Sequence, residues 1–557
     1  MSHLRNLLDT LLWTALLLAL TFIVWASPAS GASAPGSRTT LAGNAAPLFD
    51  DLGNHHHTIT TRSEQAQRYF DQGLTLLYAF NHAEAIRSFR EAARLDPDCA
   101  MAWWGVAVGY GPNINKPMAA EDNPRAWEAV EKAKALAPKA SEQEQAYIDA
   151  VSRRYAQNPP EDRSALDRAY ADAMRQLSRQ YPDDLDAAVL FAESLMDLSP
   201  WDYWTKEARP KPDTQEILAA LERVMKANPD HPGANHYYVH AVEAVEPRKA
   251  LEAADRLLHF APGAGHLVHM PAHIYLRLGM YHEAAVANEL ASRADQSYIA
   301  QCNAQGFYPA TYYPHNMHFL WYTHAMVGRS AASIAAARDI ASHGDQMKLS
   351  EAERLQPLLS AVLVRFGRWD EVLAQPRPPK DRRFETAMSH WARGLALAAR
   401  GRTGEAESEF AALDAIAQDE KTKSLQTPIL PGETLVWLAR HDLAGHLALR
   451  KGRHAEAVKQ LEAAVALEDG LPYMEPPFSY IPMRHGLGAA LLAAGNARHA
   501  ERVYREDLER NPNNGWSLFG LSQSLRAQGK AEAADEAYRA FEQAWVRADI
   551  TLTTSRY

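Results

Sequence analysis

Seven recurring breaks set the frame of this chain: Leu278-Gly279, Val327-Gly328, Phe366-Gly367, Arg400-Gly401, Lys451-Gly452, Ala494-Gly495 and Gln528-Gly529. An Ala-rich amphipathic segment such as GRHAEAVKQLEAAVAL follows each one. Glycine there suits a helix that ends in the left-handed region. Pro97, Pro138, Pro182, Pro229, Pro262 and Pro512 mark links between units. A shift of 34 residues brings Tyr69 onto Trp103 and Gly73 onto Ala107. Two amphipathic helices of this size cannot hide their apolar faces alone, so each pair must stack on its neighbours. No segment alternates with period two between turn signals, which predicts an all-α chain with strand content close to nil.

The segment AQRYFDQGLTLLYAFNHAEAIRSFREAARLDPD carries small residues at Gly73 and Ala85, an aromatic at Phe89, Ala92 and a closing Pro97. It resembles the tetratricopeptide repeat, and the likeness runs over nearly all of 62–548. That resemblance implies a helix-pair solenoid wound as a right-handed superhelix. The stretches HPGANHYYVHAVEA, GHLVHMPAHIYLRLG and YYPHNMHFL also resemble a widespread group of exported bacterial repeat proteins, a likeness that bears on fold and little on function. The organisation expected is an N-terminal array over 62–330, a C-terminal array over 331–548 and a tail over 549–557.

The N-terminus has the character of an export signal. Arg5 precedes the uncharged run Leu11–Ala26, and small residues with Ala29 and Ala34 follow. The run is shorter than the ~20 residues of a membrane span. A signal peptide over 1–34 therefore predicts a periplasmic protein with no membrane contact after cleavage; an uncleaved anchor is the alternative. Residues 35–61 are expected to be a flexible leader, with His55–His57 as a solvated tail. The two cysteines, Cys99 and Cys302, are expected to be separate buried thiols, too few for a disulfide scaffold or a Cys-rich zinc module. A net charge of −10 argues against a nucleic-acid partner held by bulk charge. There is no Walker, dinucleotide or nucleophile-elbow motif.

Chemistry concentrates in one window: eleven of the 23 histidines lie between His231 and His324. His266, His269 and His273 are spaced three and four apart and form one stripe at 3.6 residues per turn. His236 and His240 align with His269 and His273 at an offset of 33, and His315 and His318 align with His266 and His269 at an offset of 49. Tyr322 then takes the place of His273. The extra length before His315 points to an insertion, chiefly within Ser297–Tyr313. By the family resemblance, this stripe lines the inner, concave face of the array. Imidazoles on neighbouring first helices, ~8–10 Å apart, can converge.

Three uses of such a stripe are open. One is a His/Tyr-rich groove for a peptide, a protein segment or a small ligand, with Tyr313 and Asn316 joining the set. Another is a transition-metal site using His236, His240, His266, His269, His273, His315 and His318, suited to Zn or Cu, or to Fe if Glu243, Glu246 or Glu193 joins. Tyr237, Tyr275, Tyr313 and Asn316 are candidates for orienting the rings. The third use is packing alone. Whether the chain is an enzyme is left open, since no general base is specified.

Overall fold

The computed structural model describes residues 46–304, 306–346, 357–426 and 430–556. The export signal, the proposed cleavage sites and the first part of the leader lie outside the described residues. Among the described residues no helix is long and apolar enough to cross a membrane.

The described helices fall into twelve successive antiparallel pairs, from Glu64–Tyr78 with His82–Leu95 to Gly515–Ala527 with Ala531–Ala544. Among the described residues there is no strand, only three isolated bridges. All seven turn glycines have positive φ, between +63° and +76°. Local signals set the first pair. Ser63 caps its first helix by accepting from the Ala66 amide, and Asn81 caps the second through Glu84. The Phe89 ring lies where the helices cross: a Cβ on Gly73 would sit 2.6 Å from it, and one on Gly105 of the next pair 2.5 Å. Small residues are thus required on both sides of one buried aromatic. The insertion expected within Ser297–Tyr313 does not make a long loop. It lengthens the helices Tyr281–Cys302 and Phe307–Met326 to 22 and 20 residues.

Two expectations of organisation are corrected. Residues 46–61 pack as a strap across the array. The Phe49 amide donates to Gln72, the Ile59 amide to Gln67 and the Thr60 amide to Glu144, while Leu52 and Ile59 are buried. The strap's backbone is thus satisfied by side chains of helices far off in sequence, which composition could not reveal. The division at 330/331 is no break, because Ala46–Tyr557 forms one compact unit. Across that position Trp516 Nε1 donates to the Ala325 carbonyl at 2.9 Å, and Asp549 accepts from the Ser330 and Ala331 amides at 2.6 and 2.9 Å. Asp549 thereby caps the helix Ser330–Gln346. The tail is also ordered: the Arg556 guanidinium donates to buried Asp442 at 2.8 Å, and Ser555 pairs with Tyr504. Cys99 is buried, Cys302 is half-buried, and both are free thiols.

These long-range contacts position the histidine window. The final pairs and the segment around Glu475 return against the helices that carry the histidines, and the strap and the turn at Phe80 lie against it as well. Its imidazoles are therefore enclosed by the chain itself.

Candidate functional site

His236 and His240 project from the helix Pro232–Val242, which Pro232 starts at a position that needs no amide donor. His266 and His269 lie on Gly265–His269 and His273 on Pro271–Arg277. Pro271 interrupts the helix there, yet the three rings stay on one side. His315 comes from Phe307–Met326. Ligand atoms of His236, His240 and His266 lie within 4.8 Å of one another, and so do those of His269, His273 and His315. The first five rings are no more than 3% exposed; His315 is half-buried.

In four of the rings Nδ1 faces a carbonyl, amide or carboxylate oxygen. His236 donates to the Tyr78 carbonyl at 2.6 Å, and His269 to Asn288 Oδ1 at 2.7 Å. The Asn288 amide group is fixed in turn by donating to Ala284 O. His240 faces Glu243 Oε1 at 3.3 Å. His273 Nδ1 lies 3.1 Å from both Glu243 Oε2 and Glu475 Oε2. An imidazole that donates through Nδ1 keeps its Nε2 lone pair, the tautomer a metal requires. The Nε2 atoms of His236 and His240 and both ring nitrogens of His266 have no hydrogen-bond partner among the described residues.

Electrostatics separate one ring from the rest. Burial holds His236, His266, His269 and His315 well below the usual imidazole range, so they are neutral at any ordinary pH. Burial also lowers His240, against the pull of Glu243. At His273 burial is outweighed by Glu243 and Glu475, which raise it to about 10. The two carboxyls divide in the opposite sense. Against its burial, His273 and His240 hold Glu243 below the usual carboxylate range. Burial, reinforced by Glu243, lifts Glu475 above it. His273 is thus an imidazolium whose Nε2–H donates to His269 Nε2 at 2.9 Å. Two nitrogens bound to one ion at ~2.0–2.1 Å and a right angle would be ~2.9 Å apart, so a metal can replace that proton with little movement.

Aromatic residues enclose the wall. Phe80 occupies the turn of the first pair, where later pairs carry glycine, and has φ +56°. A non-glycine residue there costs ~1–3 kcal/mol. Its ring packs on His236, His240 and His266 at centroid distances of 4.5, 6.0 and 5.3 Å. Trp201, also at positive φ, lies nearly perpendicular to the His240 ring at a centroid distance of 5.0 Å and is 44% exposed.

Four residues of the sequence-derived set stand apart. His318 packs on Trp321 and belongs to neither triad. Tyr322 reaches toward Asn511 in the penultimate unit, Tyr313 accepts from Gln296, and Asn316 donates to Asp295. The expected orienting residues are also displaced. Tyr275 donates to Asp255, and Tyr237 stacks on Phe80, while Tyr78, Glu243, Asn288 and Glu475 hold the rings. Glu246 pairs with Lys249, and buried Glu193 interacts with Asp197 and Arg154. Glu475 and Phe80 lie hundreds of residues apart in sequence, and no local pattern could have joined them to the stripe. Phe80 did carry one signal, a bulky residue at a glycine turn.

A second cluster lies under the strap. Asp186 accepts from His55 at 2.9 Å, His57 at 2.8 Å and the Tyr78 hydroxyl at 2.6 Å, with His231 Nε2 3.2 Å away. His231 Nδ1 accepts from the Ala234 amide, so its proton sits on Nε2, toward Asp186. The histidine run is not a solvated tail but an anchor on two carboxylates: His56 pairs with Asp71 while its neighbours His55 and His57 hold Asp186. Although burial opposes both shifts, the ring–carboxylate pairing holds Asp186 well below its usual range and lifts His57 to about 8. These groups turn protons, not lone pairs, toward their shared point. They border an open cavity of about 890 Å³ lined also by Ser141, Tyr147, Asp184 and Asp230.

Comparison with known proteins bears on the fold. Residues 66–99 match the family model described as Tetratricopeptide repeat. A search of curated proteins finds no match. Among solved structures, human IFIT1 bound to PPP-AAAA is 13% identical, with 86% of this chain and 91% of that one covered and a TM-score of 0.30. Yeast Tom70 is 14% identical, with 86% and 90% covered and a TM-score of 0.28. The P58(IPK) TPR domain is 15% identical, with 84% and 99% covered and a TM-score of 0.21. Such distant likenesses carry no argument about what this chain binds. Residues 66–99 thus carry a tetratricopeptide repeat, and stacked helix pairs with left-handed glycine turns continue the same helix-pair architecture along the described residues.

Proposed function

We propose that this protein binds transition-metal ions on its buried imidazole wall. The observation that carries the reading is the pairing of each ring's two nitrogens. In His236, His240, His269 and His273, Nδ1 faces an acceptor; His269 and His273 meet through their Nε2 atoms, and the Nε2 atoms of His236 and His240 have no partner among the described residues. Leaving a buried nitrogen without a partner costs ~1–3 kcal/mol. Several such atoms within 4.8 Å are expensive for packing alone, and a shared ion removes the expense. An all-imidazole set suits Zn or Cu better than Mg or Ca. Export to the periplasm, read from Leu11–Ala26, belongs to the same proposal.

The test is elemental analysis of the native full-length protein, followed by titration of the chelator-treated protein with Zn2+ and Cu2+. At least one equivalent, lost in His269→Ala with the fold retained by circular dichroism, is the expected result. Absence of metal together with no uptake on titration overturns the reading.

Recognition of a peptide, protein segment or small ligand is a second reading, and one observation favours it. The open cavity beside the strap, about 890 Å³, has room for such a ligand. Under that reading the groove partner sits against Asp184, Asp186 and Tyr147 rather than on the wall. Binding that survives His269→Ala but fails in Asp184→Ala would support it.

A further inference from the structure

We infer that the two triads form one coupled dinuclear copper centre, whose ions share a small anionic oxygen ligand such as hydroxide. The inference rests on the metal-binding reading above and specifies its nuclearity and bridging ligand.

Three observations carry it. The first is composition. Each triad consists of three imidazoles, all neutral donors once an ion displaces the His273 proton, and the neighbouring carboxylates Glu243 and Glu475 reach the second triad only through His273. Three protein ligands leave an open coordination position on each ion. The second is contact between the triads. The His240 and His273 rings are 5.7 Å apart between centroids, and the His266 and His269 rings 5.8 Å. The triads thus share a ring-to-ring boundary with no side chain between them at these points. The third is Glu243, whose Oε1 faces His240 of one triad and whose Oε2 faces His273 of the other. One buried carboxylate therefore sets a ring in each triad and ties their geometries together.

Charge then argues for the bridge. Two divalent ions bring four positive charges into a buried site. Glu243 and Glu475 are the carboxylates within reach of the rings, and they offset two at most. An uncompensated buried charge is strongly unfavourable. An anion between the ions lowers that cost and fills both open positions at once. Copper is the choice because imidazole nitrogen sets bind it most tightly among the first-row divalent ions.

The experiment is a Cu2+ titration of the metal-free full chain, with copper per chain by elemental analysis and electron paramagnetic resonance on the same samples. Each isolated Cu2+ has one unpaired electron and gives a signal, whereas a bridged pair couples its spins and loses it. Two equivalents bound, with the integrated signal falling as the second enters, is the expected result. His315→Ala, at the half-buried ring, should retain one equivalent and recover the full signal. Two equivalents with full signal in the unaltered protein overturn the coupling, and a single equivalent overturns the second site. Both of those outcomes leave metal binding standing. No copper bound overturns this inference and the metal reading together.

Discussion

Glu243→Gln is the most revealing single substitution, because the side chain keeps its shape and loses one acceptor. Glu243 Oε1 faces His240 Nδ1 at 3.3 Å, and its Oε2 lies 3.1 Å from His273 Nδ1. A glutamine has one oxygen, and its NH2 would face the other ring's Nδ1–H, donor against donor. One of the two rings must give up its acceptor and turn or change tautomer. Loss of such an outer partner typically costs 10–100-fold in metal affinity, about 1.4–2.7 kcal/mol. At least one site should weaken by that factor while the metal-free helix content is unchanged. The assay is competition against a chromophoric chelator, resolved by equivalent, with thermal melts of metal-free and loaded protein. The rise in melting temperature on loading should shrink in parallel. Affinities within twofold of the unaltered protein, with the fold intact, would refute the claim that this carboxylate organises the wall.

Other expectations concern stability. Gly105→Ala places a methyl 2.5 Å from the Phe89 ring, which Gly73 already confines from the other side, and should cost ~1–3 kcal/mol in denaturant unfolding; an unchanged midpoint would mean the ring has room. Asp507, buried between His485, Asn514 and Ser517, is held down to about 2 from 3.8, because these partners outweigh its burial. A depressed carboxyl contributes its stability above the unfolded value and loses it as pH falls through the folded one. About 2 kcal/mol should therefore disappear between pH 4 and 2, and Asp507→Asn should flatten that part of the pH–stability curve. Asp186→Asn removes the charge that His55, His57 and His231 face, so limited proteolysis should cut within 46–61 much faster than in the unaltered chain; equal rates would show that the strap is held elsewhere.

Much of the architecture was legible in the chain itself, because its causes are local. A left-handed glycine ends each first helix of the later pairs, a proline closes many of the units, and small residues at Gly73 and Gly105 admit Phe89. Each such cause acts within some forty residues, so a period read along the sequence is also a period in space. Six of the seven histidines also came together as their spacing implied, since i, i+4 pairs on stacked first helices face the same way.

What surrounds those rings was decided only by tertiary structure. His318 has the same offset as its neighbour His315 yet packs on Trp321. Glu475 arrives from the far end of the chain and Phe80 from its first turn. The strap that looked solvated is pinned by Asp186. Contacts of this kind join residues hundreds of positions apart and depend on how the stacked pairs come back against one another. Periodicity constrains each neighbour-to-neighbour step but not where their accumulated rotation ends. The identity of the donor atoms was therefore written in the chain, while their enclosure, tautomers and charge arose from the folded packing.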